Sequence, residues 1–147
     1  MSGGVDPIQK HAEFLANNIS VPNVSNVVLL ILYDLSIPVN CVGFRYLKDV
    51  LPNTLQNTSH IVESELFDSV GSRYVPAVST QNMASAVHNV LQKAWSMHTY
   101  SRWRKYIPEY IMERSNAPSN LEFISCIAYF LEFWLNCYEK GDGHERT

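Results

Sequence analysis

A chain of 147 residues that is 46% hydrophobic, 12% aromatic and 17% charged carries enough apolar material for one core and too little length for two independent ones. That composition excludes a disordered chain. The net charge of −3 excludes the overall positive field with which many proteins neutralise nucleic-acid phosphates.

Cys41, Cys126 and Cys137 sit in apolar runs without CxxC or Cys/His ligand spacing. They point to buried thiols of a cytoplasmic protein rather than to a disulfide or zinc framework. No basic region followed by an apolar run opens the chain, and no apolar stretch is long enough to span a bilayer, so no membrane association is expected.

Asp6-Pro7 is a helix start, Asp as N-cap and Pro at N1, followed by a helix with Ile8, Ala12, Leu15 and Ile19 on one face. After Pro22-Asn23, the run VSNVVLLILYDL is capped by Asn23 or Ser25 and is apolar nearly all round, which predicts a buried helix. Ser36-Ile37-Pro38 stops it, because a residue before proline is pushed out of the α region. Helical spacing resumes over Val42 to Val50, with Val42, Tyr46, Leu47 and Val50 inward and Arg45, Lys48 and Asp49 outward. Leu51-Pro52-Asn53 kinks or ends this helix, and Asn57-Thr58-Ser59 offers a cap for a short helix through Leu66, Phe67 and Val70 to Tyr74.

The most informative stretch is Ser79 to His98. Met83, Val87, Val90, Leu91, Ala94 and Trp95 form one apolar stripe. Opposite stand Gln81, Asn82, Ser85, His88, Asn89, Gln92 and Lys93, neutral hydrogen-bonding side chains almost free of carboxylates. A solvated helix face ordinarily alternates Glu and Lys, whereas amides are what bidentate reading of adenine in a major groove requires. With the preceding short helix, this one makes a helix-turn-helix.

Charge is unevenly spread. Residues 1–78 carry four Lys or Arg against seven acids, residues 79–114 carry five against two, and residues 115–147 carry two against five, giving −3, +3 and −3. The positive segment holds Lys93, Arg102, Arg104 and Lys105 in and just after the second helix of the pair. It suits a phosphate backbone. It equally suits a helix packed on the core through Trp103, Tyr106, Ile107 and Tyr110, with cationic stems covering apolar surface.

Ser119-Asn120-Leu121-Glu122 is a capping box. The helix it opens is the most apolar of the chain. Its core stripe of Leu121, Ile124, Ile127, Ala128, Leu131 and Leu135 is joined by Phe123, Tyr129, Phe130, Phe133 and Trp134 around the remaining circumference. Such a helix lies at the centre of the domain or meets another chain, so Phe130, Phe133 and Trp134 are expected to form an interface, in a homodimer or with a regulatory protein. The segment GDGHERT reads as a flexible tail. These signals give an all-α single domain of six to seven helices, divided as an extension over 1–23, a helical domain over 24–138 and a tail over 139–147.

No nucleotide, metal-hydrolase, nucleophile-elbow or calcium-loop spacing occurs. His11, His60, His88, His98 and His144 lack a second ligand at i+3 or i+4, and Glu63 and Glu65 fall on different sides of a helix. No catalytic residue, metal or cofactor is expected.

Several segments together resemble the C-terminal effector domain of the stage-zero sporulation response regulator, the master transcription factor of endospore formation. They are Ile37-Pro38, Gly43-Phe44-Arg45-Tyr46-Leu47-Lys48-Asp49, Leu66-Phe67 through Tyr74, Ala94-Trp95-Ser96, and Pro118-Ser119-Asn120 with Glu122-Phe123-Ile124. They occur in the family's order from about Val24 to Tyr138. The resemblance implies about six helices, a helix-turn-helix that binds tandem double-stranded DNA sites as a dimer, and no enzymatic activity.

The chain departs from the pattern on the recognition helix. The family presents arginines and a glutamate there, with a serine ahead of them; the matching positions are Gln81, Asn82, Ala84, Ser85 and His88. The connection from Tyr74 to Ser79 is about two residues longer, and Met1 to Val21 supplies one helix where a receiver domain is absent. Two readings follow. In one, a stand-alone DNA-binding regulator reads A·T-rich base edges through Gln81, Asn82, Ser85, His88 and Asn89 and phosphates through Lys93, Arg102, Arg104 and Lys105. In the other, a protein-interaction module has kept the fold, lost the DNA face and modulates another regulator. A small-molecule sensor or enzyme has no residue in its favour.

Overall fold

The computed structural model describes residues 6–18 and 23–145, and every regular element among them is helical. The order is α1 Pro7–Asn18, α2 Val24–Asp34, α3 Val42–Val50, a 3-10 segment Leu51–Gln56, α4 Glu63–Gly71, α5 Thr80–Trp95, α6 Tyr100–Trp103, α7 Glu109–Met112 and α8 Asn120–Glu145. Among the described residues eight α-helices stand where six or seven are expected, because the cationic stretch after α5 forms two single turns interrupted ahead of Pro108.

Local chemistry sets the boundaries. Asp6 caps α1 by accepting the Ile8 amide at 3.0 Å, and Ile8, Ala12 and Leu15 are buried; Ile19 lies outside the described residues. Asn23 caps α2, accepting from the Asn26 amide at 3.0 Å. Proline alone does not end α2. Ser36 turns left-handed (φ 58°), the Ser36 amide donates to Tyr33 O and the Ile37 amide to Leu32 O, both at 3.0 Å. This is a Schellman closure with serine in the position glycine usually fills. α2 is buried on one side only, since Leu30 and Tyr33 are exposed. In α3, Val42 faces solvent, and the chain continues past Val50 into the 3-10 segment instead of breaking.

The Asn57-Thr58-Ser59 cluster does not cap α4. Its N-cap is Val62, without a side-chain bond, while Thr58 donates to Glu132 on α8. Glu63 and Glu65 in the first turn compensate the α4 dipole.

α8 lies at the centre, packed chiefly on α1 and also on the 3-10 segment and α5. The capping box forms as expected: the Glu122 amide donates to Ser119 Oγ at 3.1 Å and the Ser119 amide to Glu122 Oε1 at 2.9 Å. The helix continues to Glu145, through the glycines read as a tail. The interface expected of Phe130, Phe133 and Trp134 is corrected by burial. Phe130 and Trp134 are 0% and 1% exposed and Phe133 is partly buried against the core. Phe130 meets His11 of α1 and Tyr106, with ring centroids 5.7 and 4.9 Å away. The self-association expected from these residues has no surface there, because the chain's own first helix takes the partner's place.

A polar chain holds that arrangement. Lys105 Nζ lies 2.7 Å from Asp34 Oδ2, Tyr106 Oη donates to the same oxygen at 2.7 Å, and His11 Nε2 lies 3.0 Å from Tyr106 Oη. The phenol's single proton is given to Asp34, so His11 carries its proton on Nε2 and donates. Burial, then the charge of Lys105, lowers the His11 pKa against the pull of Asp34. Burial and the bond to Asp34 raise that of Tyr106.

α3 crosses α5 in backbone contact. A Cβ on Gly43 would stand 2.4 Å from Ala86 O and 2.7 Å from Val90 Cγ1. Gly43→Ala is therefore expected to cost about 1 to 3 kcal/mol, as overpacking does, despite the roughly 1 kcal/mol that alanine ordinarily gains over glycine in a helix. Thermal denaturation checks it, and an unchanged midpoint would contradict the close crossing.

Candidate nucleic-acid interface

Ser79 starts α5, its Oγ accepting the Asn82 amide at 3.1 Å. Every residue of the expected stripe, Met83, Val87, Val90, Leu91, Ala94 and Trp95, is buried. The helix is gripped from both sides. α3 crosses it at Gly43, and from α8 the Asn120 amide donates to Ala84 O at 3.0 Å. At its end, Trp95 Nε1 donates to Ser115 O at 3.1 Å, and the rings of His98 and Trp103 pack on the indole at 3.8 and 5.4 Å.

With that face fixed, Gln81, Asn82, Ser85, His88, Asn89, Gln92 and Lys93 are all exposed. The structure thus brings together the amide, hydroxyl and imidazole groups picked out in the sequence. They project from a helix of 16 residues, about 24 Å long at 1.5 Å per residue.

The two flanks of this face differ. On the α3 side, a cleft of about 380 Å³ is lined by Cys41, Tyr46, Asn82, Asn89 and Lys93, with Lys93 Nζ 3.6 Å from Cys41 Sγ. On the α8 side, a cleft of about 430 Å³ is lined by His88, Gln92, Asn116, Glu63 and Glu122. Glu122 is engaged there: Arg114 grips it through two bonds of 2.7 and 2.9 Å. That pairing, followed by the Ser119 amide, holds its carboxyl at about 2.

The cations assigned from sequence do not act as one group. Lys105 is corrected, because its ammonium is bound to Asp34 on α2 and supports the core. Arg102 is exposed, and Arg104 is half-buried with one long bond to Ile107 O at 3.5 Å.

The connection before α5, longer than the family's by about two residues, is held to α3 and α4 by contacts that no sequence motif marks. Tyr74 donates its hydroxyl to Asp49 of α3, packs edge-on against Tyr46 with centroids 5.5 Å apart and carries the Arg45 guanidinium 4.9 Å above its ring. The Val78 amide returns to Gly71 O at 3.0 Å, where a Cβ on Gly71 would be 2.3 Å from Val78 O. Arg45, Asp49 and Tyr74 stand up to 29 positions apart in sequence, so no local pattern announces them.

The family model described as sporulation initiation factor Spo0A C terminal matches residues 28–131. The chain belongs to this family. It is a family of helical DNA-binding domains, and the match takes in α3 to α7, the last seven residues of α2 and the first twelve of α8, leaving α1 outside. No solved structure matches the chain. Among the described residues no helix is long and apolar enough to cross a membrane.

The Glu122 carboxylate ties the start of α8 to Arg114. Its folded pKa lies below the ordinary 4.5, so its contribution is complete above 4.5 and disappears as pH falls toward about 2. Glu122→Gln is expected to lower the melting temperature at neutral pH and to flatten the acid limb below about 4.5. Melting curves across that range check this; a parallel limb in the variant would contradict it.

Proposed function

We propose that the chain is a sequence-selective DNA-binding transcription regulator whose specificity differs from that implied by the family's charged recognition helix. The observation that carries this reading is the solvent face of α5: Gln81, Asn82, Ser85, His88 and Asn89 are exposed on a helix whose opposite face is wholly inside the core. In a major groove, Asn and Gln pair with the N6 and N7 of adenine, and a hydroxyl accepts or donates to either base. The reading is therefore of A·T-rich edges.

Lys93, Arg102 and Arg104 serve the phosphates in this reading. Lys105 is left out because Asp34 holds it. The alternative of a protein-interaction module acting through Phe130, Phe133 and Trp134 loses its main support, since two of the three are fully buried.

Selection of bound sites from a random duplex pool, followed by affinity measurements, tests the reading. Asn82→Ala is expected to relax preference at one base pair by about 1 to 3 kcal/mol. Arg104→Ala is expected to weaken all sequences alike. Binding that leaves both variants equal to wild type would overturn the site, and absence of duplex binding at the lowest salt would overturn the function.

A further inference from the structure

We infer that the DNA backbone is held on the α3 flank of α5 by a second cationic group, Arg45, Lys48 and Arg73, which the sequence assigns to no site. The inference rests on the DNA-binding reading above and names where the phosphates lie within it.

The group is built, not scattered. Arg45 is exposed yet positioned, its guanidinium 4.9 Å above the Tyr74 ring. Tyr74 is itself fixed by Tyr46 and by its hydrogen bond to Asp49. Arg73 is exposed and bonds only to neutral oxygens, Asn53 Oδ1 at 3.1 Å and Ser69 Oγ at 3.4 Å. Its charge is uncompensated by those contacts. Lys48 lies 3.7 Å from Asp49, with both side chains well exposed, a pair of the weak surface kind that a phosphate can replace. Asp49 is the one carboxylate in this group, and it already accepts from Tyr74. Lys48, Asn53, Arg73 and Tyr74 border one open cleft of about 380 Å³.

Position relates this group to α5. Arg73 and Tyr74 belong to the connection that ends at the Ser79 cap. Tyr46, which meets Tyr74, also lines the cleft shared by Asn82, Asn89 and Lys93. The Tyr46–Tyr74 contact thus links the cleft of Lys48 and Arg73 to the cleft beside the amide face, which carries Lys93, whereas Glu63 and Glu122 stand on the other side. Glu122 is paired with Arg114, but Glu63 of α4 is a carboxylate on that flank, so electrostatics favours the strand on the side of Arg45, Lys48 and Arg73. Guanidinium groups already held by an aromatic ring or by neutral acceptors sacrifice less freedom on gripping a phosphate, and they can do so bidentately.

The test is the salt dependence of binding, measured by fluorescence anisotropy of a labelled A·T-rich duplex with the full chain. Each phosphate that the protein no longer neutralises lowers the slope of log K against log salt by about 0.9. The triple variant Arg45→Gln, Lys48→Gln, Arg73→Gln is expected to lower the slope by about 2.7, three times that unit. Arg45→Lys keeps the wild-type slope. Lys10→Gln, the same change of charge on α1, also keeps it. Circular dichroism and melting establish that the triple variant is folded; if it is not, Arg73→Gln alone is expected to lower the slope by about 0.9. Wild-type binding with an unchanged slope in the variants overturns this inference and leaves the DNA reading standing. A wild-type chain that binds no duplex overturns both.

Discussion

The presentation of α5 depends on the contact where α3 passes over it without a side chain between. Gly43 brings one helix backbone against Ala86 O and Val90, and a separation that small admits one arrangement of the pair. Asn120 on the far side closes the grip through Ala84 O. Two contacts from opposite directions fix the rotation of a helix about its own axis, and that rotation decides which residues face solvent. A small turn of α5 would bury the amides and expose Met83 or Val87, so the chemistry of the face follows from the packing beneath it.

The same geometry explains what is legible in the sequence. The α5 stripe is legible because its period is local: six apolar positions in a helix of sixteen residues need no other part of the chain to be recognised. The capping box at Ser119–Glu122 and the Asp6-Pro7 start are legible for the same reason. Phe130 and Trp134 are not. From the sequence of α8, a helix apolar all round is equally a centre or an interface, and α1, at the other end of the chain, decides between them. Lys105 belongs by sequence to a cationic run, yet Asp34, far back on α2, lies 2.7 Å from it. Charge counted along the chain says nothing of which cation is free, and that is why Arg45 and Arg73, in a segment of net negative charge, do not stand out.

α1 does more than cover aromatic surface. Gln9 Nε2 donates to Tyr129 Oη at 2.7 Å, and His11 joins the Tyr106, Asp34 and Lys105 chain. α1 is thereby tied to α8 by an exposed bond and to α2 and the segment after α6 through part-buried polar groups whose hydrogen bonds must be completed away from water. A helix held by burial alone can slide; one whose imidazole must reach a particular phenol has one register. The family match begins at Val28, so this attachment is an addition to the matched domain. It converts the most apolar helix of the chain from a surface into a core.

If α5 is the recognition helix, as proposed, its lack of cations at the reading positions shifts the balance between affinity and specificity. Phosphate contacts bind every sequence alike, while base contacts alone discriminate. A face of neutral amides contributes little to non-specific binding, and each good bidentate pair still discriminates by about 1 to 3 kcal/mol. On the proposed reading, cations placed to one side, on α3 and the connection before α5, orient the duplex without competing for the base edges. In the proposed arrangement the amides read the bases and the guanidinium groups set the register, and Gly43, which joins the two elements in backbone contact, keeps the distance between those two functions constant.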